Sequence, residues 1–356
     1  MNTYNISNRA NKKQNLDVSQ KNILIIGSAN NNNQSKIILN PLNIETARQL
    51  YGEDNPLFNA YKLAYEITRS SNVYTVNCPM STDFIEIIDT IIHYDFYYIV
   101  PIDIYLEDTF INPTNDKKTY FCNYYAERLG AIDNLATLIM TDRPSYLYGS
   151  IDEYILKTKY IFNTYVDEST HILEQFGSNI VFTLNNLKNT EYANVLLAAI
   201  LSINKFTEYP NSVPYKTHFD IDSFDLNNNN FTYFKYCETT DSCTIENLKN
   251  LRVIDDIYKW VPINETVKYV IKTLNLDEYR GKLYSPYVKL QINTKINKLM
   301  NNMKGVVFKQ YFIESIQFVK TAPAVGYINI KVSIVPFGTL EKIHIVIQIG
   351  TVGSFV

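Results

Sequence analysis

The sequence predicts a mixed α/β fold, and three observations carry that prediction. NILIIGSA, Asn22 to Ala29, is a nearly unbroken apolar run closed by Gly27, as in a strand buried on both faces. Segments with helical apolar stripes then alternate with further short apolar runs. The last region ends in two segments whose isoleucines recur at every second position, the period of a half-buried strand. With 356 residues the chain exceeds one ordinary domain, so two packed regions are expected.

Residues 1–20 form a polar arm, without periodicity beyond a short Leu16–Asp17–Val18 stretch. After the first strand and the polar loop Asn30 to Ser35, Ile37 to Leu39 reads as a second short strand. Asn43 to Leu50 is a predicted helix with Asn43 as N-cap, because an Asn side chain accepts from the free N–H groups of a first turn. Asn55 to Arg69 is a longer one, with Leu57, Tyr61, Ala64, Tyr65 and Thr68 along one stripe. Asn72 to Asn77 is the next strand, so the order strand–helix–strand predicts a partly parallel sheet. The alternation continues with helix Thr82–Ile92, strand Tyr97–Pro101, helix Lys118–Leu129 and strand Leu135–Thr141. A helix within Ile151–Ile172, a strand at Asn179–Leu184 and an apolar, buried helix at Tyr192–Ile203 follow.

Residues 205–260 differ. Pro210, Pro214 and the run Asn227–Asn230 predict loops and short strands there, and Trp260–Val261–Pro262 is the expected boundary into the last region. In that region Glu265–Leu274 and Ser285–Lys304 read as helices. The second opens on Ser285–Pro286, a cap followed by proline at the first helical position, and carries the stripe Val288, Ile292, Ile296, Leu299 and Met303. In the first closing strand Ile328, Ile330, Val332 and Ile334 share a face. In the second Ile343, Ile345, Ile347 and Ile349 do so, opposite His344, Val346 and Gln348.

A net charge of −3 gives no reason to expect contact with nucleic acid or an anionic membrane. No run approaches the roughly 18 to 20 apolar residues of a spanning helix, so no membrane insertion is expected. The first twenty residues lack the apolar stretch of a secretory signal, and synthesis in a cytoplasm is expected. Cys78, Cys122, Cys237 and Cys243 have no C-x-x-C spacing and are expected to be free thiols.

Motifs for chemistry are sparse, and neither a catalytic residue, a cofactor nor a metal is expected. NILIIGSANN resembles the first strand and turn of a nucleotide-binding unit, but neither G-x-G-x-x-G nor G-x-x-x-x-G-K-[ST] occurs, and Gly27 followed by asparagines does not make a phosphate cradle. His93, His171, His218 and His344 have no metal-ligand spacing, and no G-x-S-x-G elbow occurs. Asp103, Glu107 and Asp108 cluster after a strand, where α/β enzymes place catalytic groups; the alternative is a solvated acidic loop or a charge complement to a neighbouring subunit. From Tyr279 to Lys320 the only acid is Glu314, among eight basic residues. Lys289, Lys295, Lys298 and Lys304 make the last predicted helix basic, either as a solvated face or as a docking face for an acidic partner.

In their order these features resemble the tail sheath protein family of contractile phages and bacteriocin particles. The resemblance is carried by NILIIGSAN with LNIETARQLYGEDNPLFNAYKLAYE and NVYTVNC, by HYDFYYIVPID, by EYANVLLAAILSI with YPNSVPYK, and by the closing YINIKVSIVPFGTLEKIHIVIQIG. It spans about residues 20–350. It implies a two-domain subunit with extended arms: an N-terminal arm at 1–20, an outer α/β domain at 21–260, an inner tube-facing domain at 261–342 and a C-terminal strand arm at 343–356. The implied partners are further copies in a helical polymer of stacked rings, a tail tube protein, and baseplate and tail terminator proteins. The arms would pair with neighbours' sheets through Leu16 and Val18 at one end and Ile343, Ile345, Ile347 and Ile349 at the other. Lys289, Lys295, Lys298 and Lys304 would meet the tube. The resemblance further implies a place in a virion tail or headless particle, assembled in a bacterial cytoplasm. The competing readings are an α/β nucleotide-binding protein or enzyme, and another virion component such as a baseplate subunit.

Overall fold

The computed structural model describes residues 4–5, 21–29, 36–69, 72–79, 83–112, 115–131, 134–188, 190–204, 215–219, 221, 230–254, 259–274, 276–279, 282–322, 325–335 and 343–350. The chain divides into two compact units. One comprises Gln20–Asn204 and Pro210–Val261, the other Met1–Ser19, Lys205–Tyr209 and Pro262–Val356. The first strand, β1 (Tyr4–Asn5), belongs to the latter.

The larger unit is built on a sheet of β2 (Ile23–Gly27), β3 (Ile38–Leu39), β4 (Val73–Asn77), β5 (Tyr98–Pro101), β8 (Thr137–Thr141) and β9 (Ile180–Thr183). Two strands outside it, β6 (Thr109–Asn112) and β7 (Lys117–Tyr120), form an antiparallel hairpin. In space the order is β3-β4-β2-β5-β8-β9, with every neighbour parallel except the short β3. The five parallel strands therefore run second, first, third, fourth, fifth, a doubly wound arrangement. All residues of β2, β5, β8 and β9 are buried, as unbroken apolar runs require. Helices α2 (Pro56–Thr68) and α6 (Ala193–Ile203) cover one face, with α1 (Ile44–Tyr51) against α2. Helices α3 (Asp83–Ile91), α4 (Phe121–Ala131) and α5 (Ile151–Phe176) follow on the other, as right-handed crossovers dictate. The predicted cap is in place, with Asn43 Oδ1 accepting from Thr46 N at 2.8 Å, and the structure adds a second, Asn55 Oδ1 accepting from Phe58 N at 2.9 Å. A second hairpin, β10 (Tyr233–Cys237) with β11 (Ser242–Glu246), supplies the short strands expected in residues 205–260.

One prediction fails here. Lys118 to Leu129 is not a single helix: Lys117–Tyr120 pairs with Thr109–Asn112, and the helix begins only at Phe121.

In the smaller unit, α7 (Val261–Thr273) leads to α8 (Pro286–Met303), where the Ser285 hydroxyl accepts from Val288 N at 3.2 Å. The α8 stripe is Val288, Ile292, Ile296, Met300 and Met303, so Met300 takes the buried place predicted for Leu299. The sheet comprises β12 (Gln310–Ala322), β13 (Val325–Val335) and β14 (Ile343–Gly350), in the order β1-β14-β13-β12. The thirteen-residue β12 was not among the predicted elements. On β13, Ile328, Ile330, Val332 and Ile334 are buried together, the face their alternation predicts.

Candidate functional site

The carboxyl ends of β2 and β5 form the switch point of the doubly wound sheet, where this architecture ordinarily receives a ligand. Here the crevice is filled from within. A side chain on Gly27 would overlap that of Ile102, which is 3% exposed. The glycine serves close packing rather than the approach of an anion. The nearby helix starts are also satisfied internally. Leu57 N donates to Ser28 O at 3.1 Å and Phe58 N to Asn55, which leaves the first turn of α2 few donors for a phosphate.

Arg143 closes the acidic segment after β5. Its guanidinium lies 2.8 Å from Glu107 and 3.7 Å from Asp108, over the Tyr105 ring. Burial raises the pKa of Asp108, opposed by the bond from Tyr105 N and by Arg143. Asp103 is raised by burial and then by the Glu191 carboxylate. Arg143 is the partner that composition could not reveal, because it arrives from the end of another strand. Among the described residues no group of three or more His, Cys, Asp or Glu side chains is arranged to hold a metal, and no helix is long and apolar enough to cross a membrane. None of the four cysteines is in a disulfide.

In the smaller unit the terminal strand already has partners in its own chain. β14 pairs antiparallel with β13 from Tyr327↔Gly350 to Ile334↔Ile343. Its other edge pairs parallel with β1 through Tyr4↔Ile347 and Asn5↔Gln348. Ile343, Ile345, Ile347 and Ile349 thus lie inside a four-stranded sheet. Leu16 and Val18 fall outside the described residues.

The four lysines of the α8 segment do not share one side. At about 100° per residue, Lys289 and Lys298 are about half a turn apart in azimuth, and Lys304 lies nearer Lys289. Lys295 is paired with Glu278 at 2.8 Å, an acid one residue outside the stretch read as basic. Lys289, Lys298 and Lys304 are exposed.

No family model matches the chain, and no curated protein matches it. Solved structures do. A crystal structure of a sheath tail protein from Listeria innocua superposes with a TM-score of 0.59, over 96% of this chain and 97% of that one, at 8% identity. A chain in the cryo-EM structure of the anti-feeding prophage baseplate superposes with a TM-score of 0.58, over 96% and 93%, at 11% identity. The likeness extends over both units, and the chain shares the fold of that sheath tail protein.

Proposed function

We propose that this chain is a structural subunit of a contractile tail sheath, polymerising around an inner tube and contracting to drive that tube through a target envelope. The carrying observation is β14. It lies inside the sheet yet is joined to β13 by the seven residues 336–342, more than a tight hairpin needs. Such a connection reaches roughly 25 Å when extended, enough to deliver the strand to another copy. Exchange of β14, and of β1 beside it, would rebuild the same ladder between copies. Near-complete coverage of a sheath tail protein's fold supports the same reading.

The remaining parts follow from it. Lys298 and its neighbours on α8 face an acidic tube surface, with ion pairs of about 0–1 kcal/mol each, weak enough to release. Contraction is a collective rearrangement of subunits linked by exchanged strands, and its energy is stored at assembly, so no catalytic step is required. Baseplate and terminator proteins bound the polymer, which assembles in a bacterial cytoplasm. The filled crevice at Ile102 disfavours the nucleotide-binding alternative.

Electron microscopy of the purified chain tests this. The full chain is expected to form long hollow cylinders, and a chain lacking residues 345–356 none, with the thermal transition of the larger unit unchanged. Cylinders from the truncated chain would rule out exchange of β14. Only isolated particles or closed rings from the full chain would rule out the sheath reading.

A further inference from the structure

Between α2 and the segment that joins β9 to α6, the larger unit holds an open cleft of about 510 Å3. Asn59, Lys62, Leu63 and Glu66 form one wall, at the spacing of a single helix face. Lys188, Glu191 and Tyr192 form the other, and Tyr146 and Tyr215 lie between. Ile102, which fills the crevice at the switch point, takes no part in it. The second wall is held by its own bonds: Asn185 Nδ2 donates to Glu191 O at 2.7 Å, Tyr192 N to Thr190 Oγ1 at 3.1 Å and Lys188 N to Lys216 O at 2.8 Å. The cleft is therefore formed before any ligand arrives.

The lining defines what fits. It carries two lysines and two glutamates, so net charge selects neither an anion nor a cation. Glu191 accepts from the Tyr146 hydroxyl. The side chains of Asn59, Lys62, Glu66, Lys188, Tyr192 and Tyr215 make no hydrogen bond or ion pair among the described residues. Strong donors and acceptors thus stand open on both walls. Aliphatic surface is confined to the buried Leu63; the remaining apolar area is flat tyrosine ring, with Tyr146 44% exposed. A ligand must therefore donate and accept at several points, carry no net charge and present a flat apolar face. A hydroxyl meets the first demand, because it donates one proton and accepts at two lone pairs. A sugar ring meets all three, because it joins several hydroxyls to C–H bonds that an aromatic ring can cover.

We infer that this cleft binds a neutral oligosaccharide, with Lys62 and Lys188 donating to sugar oxygens, Glu66 accepting from sugar hydroxyls and one ring stacked on Tyr146. Such charge-assisted bonds are strong one by one, but each displaces held water, so an affinity on the order of millimolar is expected. The inference goes beyond the sheath reading and does not depend on it. Every residue involved belongs to the larger unit, whereas the strands offered for exchange belong to the smaller.

The test uses the full chain with labelled Leu methyl groups and Tyr rings, followed by NMR below the concentration at which it assembles. The probes are the neutral trisaccharides maltotriose, cellotriose and triacetylchitotriose. Saturable shifts of the Leu63 methyls and the Tyr146 ring are expected with at least one of them. Tyr146→Ala should weaken that binding at least about fivefold, while Tyr146→Phe, which keeps the ring, should hold it within about twofold. Lys188→Ala, at an exposed position, should weaken it at least about threefold, and it carries the test if Tyr146→Ala does not fold. No saturation by any of the probes up to about 20 mM, or binding indifferent to both alanine changes, overturns the proposal. Tighter binding of cationic chitotriose or of anionic trigalacturonate also overturns it, by making the cleft a site for charge. Equal binding of a blocked Gly-Ser-Gly peptide does so by making it a site for polypeptide. Saturable shifts of the same signals on raising protein concentration alone give the cleft to a second copy and overturn it as well.

Discussion

Asp142 stands at the carboxyl end of β8 and is 2% exposed. Its Oδ1 accepts from Asn185 N at 2.7 Å and its Oδ2 from the Thr158 hydroxyl at 2.8 Å. Burial outweighs these bonds and pushes the carboxyl from 3.8 up to about 7. The folded chain therefore holds a proton that the unfolded chain releases near its ordinary value. Stability contributed by this group is full below about pH 4, falls as the pH rises through the interval to about 7, and is level above. A shift of about three pH units corresponds to roughly 4 kcal/mol, an upper figure for the destabilisation at alkaline pH. Asp142→Asn removes the titration and keeps the bonds: the amide oxygen still accepts from Asn185 N, and the amide nitrogen donates to the Thr158 oxygen. Urea unfolding of both proteins from about pH 4 to about pH 8 isolates the effect, since every other group titrates alike in each. The variant should be more stable at about pH 8, by up to roughly 4 kcal/mol, with the difference shrinking steadily toward about pH 4. A difference independent of pH, or a parent more stable than the variant at about pH 8, would refute the reasoning.

Two further outcomes are expected. Gly27→Val should cost about 1–3 kcal/mol by displacing Ile102, and Ile102→Ala in the same chain should recover part of that loss; strictly additive losses in thermal unfolding would remove Ile102 as the filling of the crevice. Lys295→Glu with Lys298→Glu should block assembly of extended sheath around the tube without unfolding the subunit, and normal extended particles in electron micrographs would remove that side of α8 from the contact.

The parts of the fold that could be read in advance are those set by local chemistry. Asn43 and Ser285 cap helices because a short polar side chain reaches the first-turn N–H groups whatever lies further away. The buried strand Ile23–Gly27 and the alternation of β13 are likewise written in a few consecutive residues. The failures are positions where distant partners decide. Lys117–Tyr120 becomes a strand because Thr109–Asn112 folds back onto it, and no turn residue separates it from the helix it precedes. β12 was hidden because its bulge at Ile313/Ser315 shifts the phase, leaving apolar residues at 311, 312, 313, 316, 318 and 319 without a period. On the candidate surfaces the lysines of α8 were visible, but Glu278 beside Lys295 and Arg143 among the acids of β5 arrive by folding.

If copies exchange strands as proposed, the place of β14 separates the equilibrium of assembly from its rate. When copies exchange this strand, each ladder bond to β13 is replaced by an identical one, so the ladder contributes almost nothing to the balance between free and joined chains. That balance is left to concentration and to surfaces outside the sheet. The ladder instead stands in the way: eight paired residues must be peeled apart first, a barrier of roughly 4–12 kcal/mol if each pairing is worth a typical net hydrogen bond. On that proposal the chain would persist as separate molecules for a time set by strand opening, and would join quickly only where something already held a β13 edge bare.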